Sequence, residues 1–150
     1  MAISIRICDS SELDVIASSE PAGKNFARSM FAAQGNGLCR FLVAWAGGEP
    51  IGSAELTTEE LPELKNLNVQ NTHRGQGIGP QIIAAAEALI GESGSLSIGV
   101  GVDNPRAAQL YERLGYLRTG LLSTITNDYV DDEGVSMTAT ETDEMLIKRW

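Results

Sequence analysis

Apolar and polar residues alternate along Ile3-Ser4-Ile5-Arg6-Ile7, and that period of two predicts a half-buried first strand. Asp9 and Ser10 offer short side chains suited to capping a helix from about Glu12 to Ala17. From Pro21 to Gln34 the spacing of Phe26, Met30 and Phe31 is helical, and Gly35-Asn36-Gly37 ends it. Phe41 to Ala46 and Ile51 to Thr57 flank the turn Gly47-Gly48-Glu49-Pro50, which predicts a hairpin. Glu63 to Val69 reads as a further strand.

A helical period returns with Ile78, Ile82, Ala86, Leu89 and Ile90 on one face, stopped by Gly91 or Gly94. Leu96, Ile98, Val100 and Val102 then alternate with Ser97, Gly99 and Gly101, a strand with one bare face. Asn104-Pro105 opens another helix that ends at Leu114-Gly115. Tyr116 to Ile125 and Met137 to Lys148 form a final strand pair around the acidic turn Tyr129 to Gly134. This order predicts an α/β (α+β) fold with a mixed, mostly antiparallel sheet of about seven strands and about four helices. It contains one strand–helix–strand crossover rather than a strict βαβα alternation. No repeat or linker divides residues 1–150, so a single domain is expected.

Composition narrows the partners. The net charge is -9, with 20 acidic residues against 11 Lys and Arg, which disfavours a nucleic-acid partner. Such a surface could attract a cationic amine, or serve solubility alone. Cys8 and Cys39 lack metal-ligand or dithiol spacing, so no metal site is expected, and two reduced thiols fit the cytoplasm. No basic leader opens the chain and no apolar run could span a bilayer, so no membrane role is expected.

Two segments carry candidate chemistry. In Leu67-Asn68-Val69-Gln70-Asn71-Thr72-His73-Arg74-Gly75-Gln76-Gly77-Ile78-Gly79, three alternating glycines join a strand to a helix. They allow close backbone approach, and the unpaired amides of the next helical turn suit a phosphate or pyrophosphate. Arg74 adds a positive charge at the rim. A Walker loop fails because Pro80-Gln81 follows instead of Lys and Ser or Thr, and the Gly-x-Gly-x-x-Gly dinucleotide fingerprint is not matched. A plain tight turn would explain the glycines alone. On the later helix, Asn104, Ala107 and Tyr111 share nearly one face. Taken singly, Asn104 could be a helix cap and Tyr111 a buried aromatic.

Together these segments resemble the GNAT N-acetyltransferase superfamily. Arg74-Gly75-Gln76-Gly77-Ile78-Gly79 matches its Gln/Arg-x-x-Gly-x-Gly/Ala signature, Leu67-Asn68-Val69 its pantetheine-pairing strand, and Asn104 to Ala107 with Leu110 to Tyr116 its second motif. The resemblance implies acetyl-CoA as co-substrate and direct acetyl transfer to a primary amine, small-molecule or peptide. It implies that Arg74 to Pro80 hold the pyrophosphate, that Leu67, Asn68 and Val69 line the pantetheine, and that Asn104 contacts the same arm. Tyr111 would lie near the thioester sulfur as general acid.

Transfer also needs a neutral amine, since an alkylammonium of pKa about 10.4 has no free lone pair. The developing oxyanion needs a donor, for which the Val69 backbone N–H is the candidate. Some members carry a glutamate where Gly99 and Gly101 stand here, so Glu63 becomes the candidate base, with Glu55 second and water chains a third route. His73, the only histidine, reads as a loop residue. The acceptor region falls to Pro21 to Gln34 and Leu121 to Thr140; the acidic residues of the latter would suit a polyamine, an aminoglycoside or a lysine, or merely a soluble hairpin. A non-catalytic acyl-CoA sensor, a nucleotide-dependent oxidoreductase and a structural subunit remain alternatives. The sheet edges and terminal strand pair could support a homodimer.

Overall fold

The computed structural model describes residues 2–20 and 26–150. Pro21 to Asn25, the opening of the second predicted helix, lie outside the described residues. Backbone contacts group into two compact units, Met1–Leu96 with Arg149–Trp150, and Ser97–Lys148.

The first unit contains β1 (Ile3–Ile7), α1 (Leu13–Ser18), α2 (Phe26–Gly35), β2 (Cys39–Ala46), β3 (Glu49–Thr57), β4 (Glu63–Val69) and α3 (Ile78–Ile90). Its strands pair antiparallel in the order β1-β2-β3-β4. Asp9 caps a single 3-10 turn, accepting from the Ser11 N–H at 3.1 Å, and that turn leads into α1. At the start of α2 both oxygens of Glu20 accept backbone N–H groups, those of Phe26 and Ala27, each at 2.9 Å. A carboxylate at this end also meets the favourable pole of the helix dipole.

The sheet buries both faces. Phe41, Val43 and Trp45 point one way and pack with Cys8, Ile16, Ala27 and Met30 under α1 and α2. Leu42, Ala54, Leu56 and Leu64 are buried on the opposite face, where α3 packs. The buried face of α3 is Ile78, Ile82, Ile83 and Ala86, whereas Leu89 is 37% exposed. A packed helix buries a band wider than one stripe, so Ile83 joins it instead of Leu89. Gly91 ends α3 at φ +95°, as expected of a glycine stop.

Two bulges interrupt the ladders. Ile51 is the extra residue of β3 opposite β2. On β4, Asn66 and Leu67 together oppose Ala54, and Asn66 adopts φ +55°. Beside this second bulge the backbones come very close. A Cβ on Gly52 would meet the Asn68 carbonyl at 2.9 Å and Ile82 Cδ1 at 3.3 Å. Gly52→Ala should therefore destabilise the protein by about 2 kcal/mol, read as a lower denaturant midpoint with an unchanged slope. An unaltered midpoint would show that the strands can separate freely here.

The second unit takes in most of β5 (Ser95–Gly101), with α4 (Pro105–Arg113), β6 (Leu117–Val130) and most of β7 (Ser136–Arg149). Strand β7 lies between β5 and β6. Strand β5 ends at Gly101, so Val102 stands outside it and is exposed, contrary to the alternation. Strands β6 and β7 form an antiparallel hairpin longer than the apolar pattern predicts. Threonine pairs extend it through a polar stretch, Thr124 with Thr142 at 3.1 Å and Thr126 with Thr140 at 3.2 Å. Asp131 closes the turn by accepting from the N–H groups of Glu133 and Val135. Seven strands and four α-helices thus stand among the described residues, in the mixed, mostly antiparallel arrangement expected.

Candidate active site

Strand β4 delivers the candidate phosphate loop. Its register with β3 includes Gly52 opposite Val69, and the Gln70 N–H donates to the Ile51 carbonyl at 2.8 Å. That bond brackets Gly52–Val69 as a non-hydrogen-bonded pair, so the Val69 N–H and C=O both turn away from β3. The carbonyl accepts from Arg74 Nε at 3.0 Å, which folds the arginine back over the strand end. After a 3-10 turn at Asn71–His73, Gly75 and Gly77 take φ +76° and +78°, where glycine is the residue without a steric penalty. Gly77 is the N-cap of α3 and has no side chain to satisfy the helix's first amides. The Ile78 and Gly79 N–H groups are left at an exposed helix start, and a Cβ at Gly79 would meet nothing within 4 Å. Backbone donors, a helix dipole and an open cradle suit a diphosphate.

His73 Nδ1 shares a hydrogen bond with the Thr72 hydroxyl in that turn, consistent with a loop residue. Glu63 opens β4, its N–H donating to Thr57 Oγ1 at 2.9 Å. Six strand steps, roughly 20 Å, separate it from Val69, so the described geometry does not bring Glu63 to the loop end of the strand. Glu55 lies closer to the bulge and accepts from Asn66 Nδ2 at 3.2 Å.

On the α1 and α2 face of the first unit lies a cavity of about 430 Å³. Its floor includes Phe41, Val43 and Ser53, its β4 side Asn66, Leu67, Asn68 and Gln70, and its helical wall Ile16, Phe26 and Met30. The bulge produces this lining. Lys65 pairs with Glu55 and Asn68 with Ser53, so the residues facing the cavity change from odd to even numbers across Asn66–Leu67. The sequence carries a trace of that slip, since Leu64 is out of phase with Leu67 and Val69. The composition of the cavity was not visible in the pattern, because it depends on pairings across three strands.

In the second unit, Asn104 caps α4 by accepting from the Ala107 N–H at 3.2 Å, with Pro105 in the first turn. Tyr111 is half-buried, and burial raises its phenol above the usual range. Gly115 follows the helix at φ +102°. The bare face of β5 meets Met145, Asp143 and Glu141 of β7, which the sequence does not signal, and Asp103, whose Oδ1 would stand 2.7 Å from a Cβ on Gly101. A Cβ on Gly99 would lie 3.7 Å from Asp143 Oδ2, and one on Gly101 3.7 Å from Glu141 Oε1. The charge of Asp143, foremost, and its hydrogen bond raise the Glu141 carboxyl above its ordinary range, with burial and Asp103 adding to this. Cys8 and Cys39 are buried and unpaired, each thiol pushed up to about 11 chiefly by burial. Both are therefore poor nucleophiles at neutral pH.

A family profile described as acetyltransferase (GNAT) domain matches residues 37–118. A mouse protein named probable N-acetyltransferase family 8 member 5 is 30% identical over 100 residues, covering 65% of this chain and 42% of the relative. The chain thus spans less than half the length of that relative. Among solved structures, the ribosomal-protein-S18-alanine N-acetyltransferase of Escherichia coli superposes with a TM-score of 0.70 at 17% identity, covering 99% of this chain and 94% of that one. An Elizabethkingia anophelis GNAT family acetyltransferase with acetyl-CoA bound gives 0.66 at 18% identity, covering 99% and 98%. At these identities the likeness shows the fold.

Proposed function

The chain belongs to the GNAT acetyltransferase family, and we propose that it transfers the acetyl group of acetyl-CoA directly to a primary amine. The observation that carries this reading is the cradle at the start of α3, where two positive-φ glycines and an uncapped helix terminus leave main-chain donors facing open space. Gly75, Gln76, Gly77, Ile78, Gly79 and Pro80 hold the pyrophosphate in this reading, with Arg74 at the rim. Leu67, Asn68 and Val69 align the pantetheine arm, and the relative with acetyl-CoA bound supports that co-substrate. Asn104 contributes its amide to the same arm while its oxygen caps α4.

Bound acetyl-CoA supplies an activated thioester; the chain's part is to place it and move protons. The Val69 N–H, turned from β3, donates to the carbonyl oxygen as negative charge develops there. Tyr111, kept protonated by burial, gives its proton to the departing sulfur. With Glu63 at the far end of β4, deprotonation of the amine falls to water. The acceptor binds in the cavity beside β4.

The family match runs across the division between the two units, which supports reading 1–150 as one catalytic domain. Two buried free thiols support a cytoplasmic location, and no helix among the described residues is long and apolar enough to cross a membrane. Exposed Leu121, Leu122, Ile125 and Tyr129 on β6 support a homodimer. The reading is tested by comparing thermal shifts with coenzyme A and NAD(H), then following thiol release from acetyl-CoA over a panel of amines. Coenzyme A should stabilise the protein and thiol release should require an amine. Preference for NAD(H) would end this reading, and binding without turnover on any amine would favour the sensor.

A further inference from the structure

Glu55 stands where the floor of the cavity meets β4. On β3 it lies opposite Phe41 of β2 and two places after Ser53, and Asn66 Nδ2 donates to its Oε2 at 3.2 Å. Phe41, Ser53 and Asn66 all line the cavity, so cavity residues border this carboxylate on three sides. Burial foremost, then the charge of Glu55 and a hydrogen bond to it, push the Cys39 thiol up, so the carboxylate also faces that end of β2. Lys65 stands opposite Glu55 on β4, exposed, and takes part in none of the ion pairs among the described residues.

The bulge in β4 aims the amide at Glu55. Asn66 adopts φ +55°, a conformation few residues other than glycine take, and asparagine is among those that tolerate it. Its carbonyl accepts from Asn68 Nδ2 at 3.2 Å, which fixes the bulge from the other side. Bulges re-aim side chains, and an unusual backbone angle kept beside a cavity points to a use for it. One amide donor on Oε2 leaves acceptor positions of the carboxylate open to water. Glu20, another carboxylate at the cavity, has both oxygens on the first amides of α2.

Gly52, opposite Val69, lies three places before Glu55 on β3, roughly 10 Å along the strand. A glutamate side chain and a short chain of waters span that distance. From this we infer that Glu55, aimed by Asn66, is where the proton taken by water from the acceptor's ammonium comes to rest. This rests on the acetyl-transfer reading and on the cavity being its acceptor site. The ammonium passes one proton through water to the carboxylate and becomes a nucleophile. The carboxylic acid so formed returns that proton to solvent once the acetyl has moved. The nitrogen gives up a second proton as the C–N bond forms and the C–S bond breaks, which balances the proton received by sulfur. Asn66 acts only through Glu55, as a positioning residue.

The test uses the full chain and follows thiol release from acetyl-CoA with ethylamine, 2-phenylethylamine, spermidine and alaninamide. The fastest of these is then taken from about pH 7 to about pH 10, with coenzyme A affinity measured by calorimetry. Glu55→Gln should lower kcat about a hundredfold at about pH 7 and leave the dissociation constant for coenzyme A unchanged. At about pH 10 the variant should approach the wild type, because solvent then supplies neutral amine. Glu55→Asp keeps a carboxylate and should recover part of the loss. Asn66→Gly keeps the backbone angle and removes the amide, so kcat should fall about tenfold with the same recovery at high pH. A deficit equal at every pH, or wild-type kcat in Glu55→Gln, overturns the inference and leaves acetyl transfer standing. A wild-type rate in Asn66→Gly alone overturns the positioning role. Coenzyme A binding without amine-dependent thiol release from the wild type removes the acetyl-transfer reading, and the inference falls with it.

Discussion

Gly79→Ala should leave the protein at least as stable as before while weakening coenzyme A binding by about tenfold or more. Gly79 lies in the first turn of α3, outside the positive-φ positions, and an added Cβ would touch nothing within 4 Å. Alanine is the better helix former by up to about 1 kcal/mol, so folding gains if anything. The new methyl can then collide only with what the cradle binds. Gly77→Val is the contrasting change. Its φ of +78° is costly for a branched residue, so stability and affinity should fall together. Calorimetric titration with coenzyme A and thermal unfolding of both variants separate the two effects. Wild-type affinity in Gly79→Ala would show that the diphosphate binds elsewhere.

Tyr111→Phe should cut kcat by about a hundredfold with little change in the dissociation constant for coenzyme A. Burial is what raises this phenol, and an acid that donates its proton works only below its own pKa. Activity carried by Tyr111 should thus persist through neutral pH and decline only as pH rises beyond the ordinary tyrosine range. The phenylalanine variant should lack that alkaline limb. A hydroxyl that merely packs at the edge of α4 would leave rate and profile as they were. Stopped-flow thiol release across pH decides between these outcomes.

The sequence was most informative where local chemistry sets the backbone. Glu63 to Val69 has the boundaries its composition predicts, and Gly115 ends α4 in the expected conformation. The glycine loop was legible for the same reason, since few residues tolerate the backbone angles of Gly75 and Gly77. Features set by pairing across strands were not. Alternation predicted Val102 inside β5, yet the strand ends one residue earlier, where Val102 N–H donates to the Thr142 carbonyl. Of the carboxylates near Gly99 and Gly101, Asp143 and Glu141 come from β7, far later in the chain, so no local window could associate them, whereas Asp103 is a neighbour in sequence. Glu63 and Val69 share a strand without sharing an end, a separation set by strand length rather than by residue type.

The extra residue in β4 acts as a phase shifter between two readings of one strand. Before it, odd positions serve one sheet face; after it, even positions do, which puts Asn68 and Gln70 in the cavity and leaves Val69 on the face toward α3. Removing one residue there would keep every side chain downstream but exchange their sides, presenting amides to a hydrocarbon layer and valine to solvent. Transplanting this strand into another scaffold would therefore succeed only if the inserted residue travelled with it.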